Sequence, residues 1–149
     1  MQIIPATTDH AEVMHRIHDE GVRAACVDFY TSEQIEAWLG GRSPEGYHKG
    51  IKKGEMFVAE DNGEVVGFGH VVPGEIVAIF VDHGKHGMGI GKALVEHAIE
   101  MASDGERKVI VRATLNAIPF YEKSGFVKVK EDADIDNGVE VPVLIMELA

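Results

Sequence analysis

Cys26 is the only cysteine in 149 residues, so no intrachain disulfide can form. Long hydrophobic runs are lacking too. The longest wholly apolar stretch, Ile76 to Val81, is far short of the ~20 residues that span a bilayer, which argues against a membrane partner. The opening MQIIPATTDH has none of the basic-then-apolar order of a signal peptide, and a soluble, cytoplasmic protein is expected. Basic residues are scarce: 14 Lys and Arg stand against 25 Asp and Glu, for a formal charge of −11. No run of Lys or Arg could track a phosphate backbone, and a nucleic-acid partner is not expected. Repeats, low-complexity tracts and long linkers are missing as well, which points to one compact unit over 1–149. With 45 % hydrophobic residues, that unit can bury a real core.

The chain instead offers an alternation of strand and helix signals. Gln2 to Pro5 reads as a first strand, and Asp9 with Glu12 as a capping box for a helix that turns Val13, Ile17 and Ala24 inward. Thr31 with Gln34 repeats the box ahead of a helix bearing Ile35, Trp38 and Leu39, stopped at Gly40-Gly41. Ser43-Pro44 opens a third, short helix towards Lys52. Met56 to Glu60 and Glu64 to Val72 form a hairpin around Asn62-Gly63, and Glu75 to Val81 returns beside them. Because Ile76 to Val81 is apolar throughout, it predicts a central strand covered on both faces.

A helix with Ile90, Leu94, Ala98 and Met101 on one face follows, stopped by Ser103-Asp104-Gly105, and Lys108 to Ala113 is the next strand. Asn116 is placed to cap a short helix through Lys123. Phe126 to Lys130 and Val139 to Leu148 close the chain as two strands around an acidic loop, EDADIDNG. Residues 75–113 make a βαβ crossover, so two strands are parallel in a mixed, mainly antiparallel α/β sheet with helices on both faces.

Between strand and helix lies HGMGIGK, residues 86–92, with three glycines in five positions. It is not a phosphate-binding P-loop, because His86 stands where the first glycine belongs and Ala93 follows Gly91-Lys92 in place of a hydroxyl residue. It is not a dinucleotide fingerprint either, since Gly89-x-Gly91 is followed three residues later by Leu94. Glycine-exposed N–H groups at a helix N-terminus can still seat an anion. Taken alone, the loop fits an anion seat or a plain strand-to-helix turn.

Read with its surroundings, the chain from 56 to 148 resembles the GCN5-related N-acetyltransferase (GNAT) family, whose members move acetyl from acetyl-CoA to an amine. HGMGIG supplies Gly89 and Gly91 of the family's [Q/R]-x-x-G-x-[G/A] signature and departs from it at His86. NAIPFYEKSGF, residues 116–126, is similar to the later family motif; VPVLIMEL resembles its last strand and VAEDNGEVVGFGHV its entry hairpin.

The resemblance implies a single acetyltransferase domain over 1–149, with 1–55 on the acceptor side and 56–148 as the CoA-binding core. It implies that His86, Gly87, Met88, Gly89, Ile90, Gly91 and Lys92 hold the CoA pyrophosphate largely through backbone amides. Asn116 would lie near the pantetheine arm and Lys123 near a CoA phosphate. A backbone amide near Phe80 or Val81 would stabilise the oxyanion. An amine with a pKa near about 10.4 must lose a proton before it attacks a thioester. Glu75, fourteen residues before Gly89, has the place of the family's catalytic glutamate, although other members use a water relay. Tyr121 corresponds to the tyrosine close to the CoA sulfur and would protonate the leaving thiolate.

Direct transfer within a ternary complex is expected. The alternative is a regulatory domain that binds CoA without catalysis. The acidic balance favours a cationic amine acceptor. Dimerisation is common in the family, so a homodimer is allowed. Tyr30, Trp38 and Tyr47 fit either acceptor lining or core. His15 with His18 and His83 with His86 sit three apart, yet lack further ligands of recognised spacing, and no metal is expected. Cys26 reads as a small buried hydrophobe rather than a nucleophile.

Overall fold

Strand β1 (Gln2–Pro5) runs into a short 3-10 turn and then helix α1 (Ala11–Ala25), in a computed structural model that describes residues 1–149. Thr7 and His10 cap the turn reciprocally, so the device expected of Asp9 and Glu12 lies two positions earlier. The inward face of α1 also differs from expectation. Met14, Ile17, His18, Gly21 and Val22 are buried, while Ala24 faces solvent. Each fully buried aliphatic side chain on that stripe contributes roughly 1.5–3 kcal/mol. Helix α2 (Ser32–Leu39) carries the expected Thr31–Gln34 box and buries Ile35, Trp38 and Leu39. A 3-10 turn with Pro44 near its start leads into α3 (His48–Lys52).

The meander follows as β2 (Met56–Asp61), β3 (Glu64–Val72) and β4 (Glu75–Val81). Asn62 and Gly63 both take positive φ, the backbone that a two-residue hairpin turn requires. Helix α4 (Ile90–Ala102), strand β5 (Ile110–Thr114) and helix α5 (Ile118–Lys123) complete the crossover and its sequel. On α4 the buried row ends at Ala102, and Met101 is exposed. Asn116 sits inside a 3-10 turn and does not cap α5.

Two long strands, β6 (Phe126–Asp136) and β7 (Val139–Leu148), finish the chain. The acidic segment expected as a loop is strand as far as Asp136, and the turn is only Asn137-Gly138, both at positive φ. Arg112 on β5 makes those charges tolerable by holding Asp132 and Asp134 in ion pairs at 2.8 and 2.5 Å.

The seven strands lie in the order β1-β2-β3-β4-β5-β7-β6, and every neighbouring pair is antiparallel except β4 and β5. Side chains alternate between two layers. Phe57 and Ala59 pack with α4 on one face, while Met56 and Val58 pack with Met14 and Ile17 of α1 on the other. Gly69 lets the first layer close, because a Cβ there would lie 2.3 Å from the Phe57 ring.

Strand β4 is central in order but is not covered on both faces. Only Ile76 is fully buried, and Val77 is 41 % exposed. Its parallel pairing to β5 stops after Glu75↔Ile110 and Ile76↔Val111. A bulge against β3 falls at the same point, between the pairs Val71↔Ile76 and His70↔Ala78. Beyond it the two central strands diverge and leave an opening in the sheet.

Candidate functional site

That opening is the floor of a cleft of about 1040 Å³. Its apolar strand residues are exposed because nothing from the protein fills the space above them. Glu75, Phe80, Val81, His86, Gly87, Gly89, Ile90, Gly91, Lys92, Asn116, Tyr121 and Lys123 all line it. Met88 is the exception among the loop residues, outside the lining and 62 % exposed.

The glycine loop fits an anion in local detail. Gly87 and Gly89 take φ of +84° and +79°, and no atom lies within 4 Å of where a Cβ would project. Gly89 is the N-cap of α4 and, lacking a side chain, caps nothing, so the leading N–H groups of the helix are left for another acceptor. Gly91 serves packing instead: a Cβ would meet the Phe120 ring at 3.0 Å, which seats the first turn of α4 on α5. Lys92, Phe120 and Lys123 also border a smaller hollow of about 340 Å³ between the two helices.

Tyr121 is 4 % exposed and packs edge-on against Phe120 and Phe126, with ring centroids 5.1 and 5.6 Å away. Burial raises its pKa well above the ordinary phenol value, so the hydroxyl keeps its proton. Asn116 accepts a hydrogen bond from the Cys26 thiol at 3.2 Å through Oδ1, which turns its amide nitrogen away as a free donor. Glu75 opens β4 at the junction with β5, and strand alternation sends it to the same sheet face as Ala78 and Phe80.

Opposite the loop, the cleft is walled by His18, Trp38, Arg42 and Tyr47 from the first 55 residues and by Arg112, Asp134 and Asp136 from the sheet. Tyr30 belongs to the core instead; its hydroxyl donates to the Pro142 carbonyl at 2.5 Å and accepts from Leu115 N–H at 3.0 Å. The His18 ring lies over Phe80 at 4.3 Å and meets the edges of Trp38 and Tyr47. Burial of Asp136 raises its pKa, an effect that Arg42 opposes. Sequence reasoning passed over His18, Arg42, Arg112 and the two aspartates as functional residues. The one available signal was His18 itself, a polar residue on the helical face of Met14, Ile17 and Val22.

A model of the family described as Acetyltransferase (GNAT) domain matches residues 26–148. The peptidyl-lysine N-acetyltransferase YjaB of Salmonella typhimurium is 39 % identical over 85 residues, 56 % of this chain and 57 % of that one. The match thus spans less than two thirds of that relative's length. Among solved structures, a GCN5-related N-acetyltransferase of Rhodopseudomonas palustris superposes with a TM-score of 0.91 at 24 % identity, covering 99 % of this chain and 94 % of its own. The PaiA N-acetyltransferase of Thermoplasma acidophilum, solved in complex with coenzyme A, gives 0.75 at 19 % identity, with 99 % and 97 % covered. At those identities the likeness bears on the fold alone.

Proposed function

The chain belongs to the GNAT acetyltransferase family, and from that premise we propose that it is an N-acetyltransferase moving acetyl from acetyl-CoA to a primary amine by direct transfer in a ternary complex. The observation that carries this reading is the single cleft in which an uncapped helix N-terminus, the open side of β4, Tyr121, Asn116 and Glu75 all meet. In this reading 1–149 is one acetyltransferase domain. Residues 1–55 form its acceptor side and 56–148 its CoA-binding core, with Arg112, Asp134 and Asp136 of the core also facing the acceptor.

Acetyl-CoA supplies an acyl group already activated as a thioester. The amides of residues 86–92 bind its pyrophosphate at the positive end of α4, with Lys92 and Lys123 adding charge. Asn116 donates its amide to the pantetheine arm. Glu75 takes the proton from the incoming ammonium, directly or through water. A backbone N–H near Phe80 or Val81 donates to the carbonyl oxygen as charge develops on it; collapse breaks the C–S bond, Tyr121 protonates the departing sulfur, and the phenol regains a proton, through solvent, from the second one that the nitrogen sheds. The phenol is protonated at neutral pH, and burial, by raising its pKa, makes it a weaker acid than an exposed tyrosine towards the thiolate formed beside it.

The test is incubation of the protein with acetyl-CoA and a panel of amines, following free thiol, beside a Glu75→Gln variant. Thiol release that depends on both amine and Glu75 supports the reading. Calorimetric binding of CoA with no release from any amine overturns it in favour of a CoA-binding regulatory domain.

A further inference from the structure

One polar atom in the acceptor half of the cleft has no partner within the protein. His18 is 6 % exposed, its Nε2 is buried without a hydrogen bond, and the residue lines the cleft. Its other nitrogen, Nδ1, lies 2.7 Å from the Tyr47 hydroxyl. Burial pushes the Tyr47 phenol up to about 12, against the opposing charge of Arg42, so the hydroxyl carries a proton to give. With that phenol as the donor, Nδ1 is the acceptor of the bond. Nε2 is left as the protonated nitrogen of a neutral ring, since burial, helped by Arg42 and His15, lowers the His18 pKa to about 3. Buried N–H groups without acceptors are rare in native proteins, so this donor calls for an acceptor from a ligand.

Arg42 is the second half of the site. It stands at the cleft mouth, with Nε donating to the Trp38 carbonyl at 3.1 Å. Asp132 and Asp134 are taken by Arg112. Asp136 feels the Arg42 charge from β6 but does not close to ion-pair distance. The outer nitrogens of Arg42 thus have no carboxylate of the protein's own.

Building on the acetyl-transfer reading above, we infer that the acceptor is a small amine that also carries a carboxylate, bound by Arg42 in charge-assisted hydrogen bonds while His18 Nε2–H donates to the same group. Trp38 and Phe80 flank that position with apolar surface, which strengthens both interactions by excluding water. Glu75 and Asp136 offer negative charge for the ammonium end, so a zwitterion matches this wall better than a purely cationic amine.

The experiment compares L-phenylalanine, L-methionine, L-lysine and 4-aminobutanoate, each beside its primary amide, by thiol release. The expected result is a kcat/KM at least tenfold higher for some acid than for its amide. Arg42→Gln, a substitution at the exposed cleft mouth, should bring that ratio close to one through KM, and Arg42→Lys should restore part of it. Amides used as well as acids, or an acid preference untouched by Arg42→Gln, would overturn the carboxylate site while leaving acetyl transfer intact. A second readout does not need turnover. In protein labelled with 15N-histidine and saturated with CoA, the acids should shift the Nε2 resonance of His18 and the Arg42→Gln variant should abolish the shift. No shift from any of the four acids would overturn the proposal.

Discussion

The thiol of Cys26 donates to Oδ1 of Asn116 at 3.2 Å, tying the end of α1 to the turn that follows β5. Cys26 is 2 % exposed, and burial pushes the thiol pKa up to about 11. The single cysteine is therefore a strut for the asparagine at the cleft wall, with almost no thiolate at neutral pH. Iodoacetamide at pH 7.5 should label the native protein at least tenfold more slowly than the urea-unfolded chain. Cys26→Ala should keep thiol-releasing activity within a few-fold; loss of all activity would reopen covalent catalysis.

Tyr121→Phe removes the proposed proton donor and leaves the aromatic packing against Phe120 and Phe126 in place. A general acid contributes typically about 10²–10⁴-fold. The expected loss is therefore at least tenfold in kcat with KM for acetyl-CoA little changed, measured by steady-state thiol release. Unchanged kcat would remove the phenol from the mechanism.

Glu75→Gln should lower kcat/KM at pH 7 by roughly tenfold or more, the lower part of the usual range for a general base that can also be replaced by water. The deficit should shrink as pH rises towards the amine's own pKa, because the free base then supplies itself. A pH–rate profile of variant against parent, from pH 6.5 to 9.5, measures this convergence.

At Gly89, φ of +79° is open to glycine and costs other residues about 1–2 kcal/mol. Gly89→Ala should lower the melting temperature by roughly 2–6 °C, since about 1 kcal/mol shifts a domain of this size by a few degrees. CoA affinity should fall as well, because the strained turn re-aims the amides at the head of α4. Calorimetry and a thermal melt read the two effects separately.

Burial of His18 predicts a loss of stability in acid. Its pKa is about 3 in the folded protein against 6.5 for the ordinary side chain, so between those values the unfolded chain binds the extra proton. Stability is then complete above pH 6.5 and is lost as pH falls towards 3. Each unit of separation is worth about 1.4 kcal/mol, so the loss reaches a few kcal/mol. His18→Phe keeps an aromatic ring on Phe80 and should flatten that limb in urea-midpoint measurements from pH 7 to 4.

Much of the fold was legible because local signals were strong and agreed with the tertiary outcome. The Thr31–Gln34 box, the Asn62-Gly63 hairpin and the parallel return of β5 all stand where pattern and turn chemistry put them. Asn137-Gly138 carries the same hairpin signal as Asn62-Gly63, but its acidic approach reads as loop. What holds that approach as strand is its ladder to β7 from Lys130↔Ile145 to Asp136↔Val139, with Arg112, about twenty residues earlier, pairing two of its charges, and no local pattern carries either. The continuous apolar run of β4 was equally ambiguous. Hydrophobicity that normally means cover on both faces here floors a cleft, since composition does not say which apolar surface is kept for a ligand.

On the proposed cofactor side the expected residues come from short, ordered motifs, and all but Met88 converge on one cavity. The proposed acceptor wall is assembled differently. His18, Arg42 and Tyr47 come from a helix, a loop and a single turn whose chemistry emerges only when folding brings three side chains together. Spacing along the chain gives no sign of that meeting.

The divergence of β4 from β5 also sets where the molecule is most open to deuterium. Every second amide of β4 beyond Ile76 points across the gap without a partner strand, so exchange should enter the middle of the sheet before it reaches the paired interior of β2 and β3. A ligand arm laid along that gap would act as an eighth strand. It would join two sheet halves that otherwise share two residue pairs, and the protection it brings would extend into both of them.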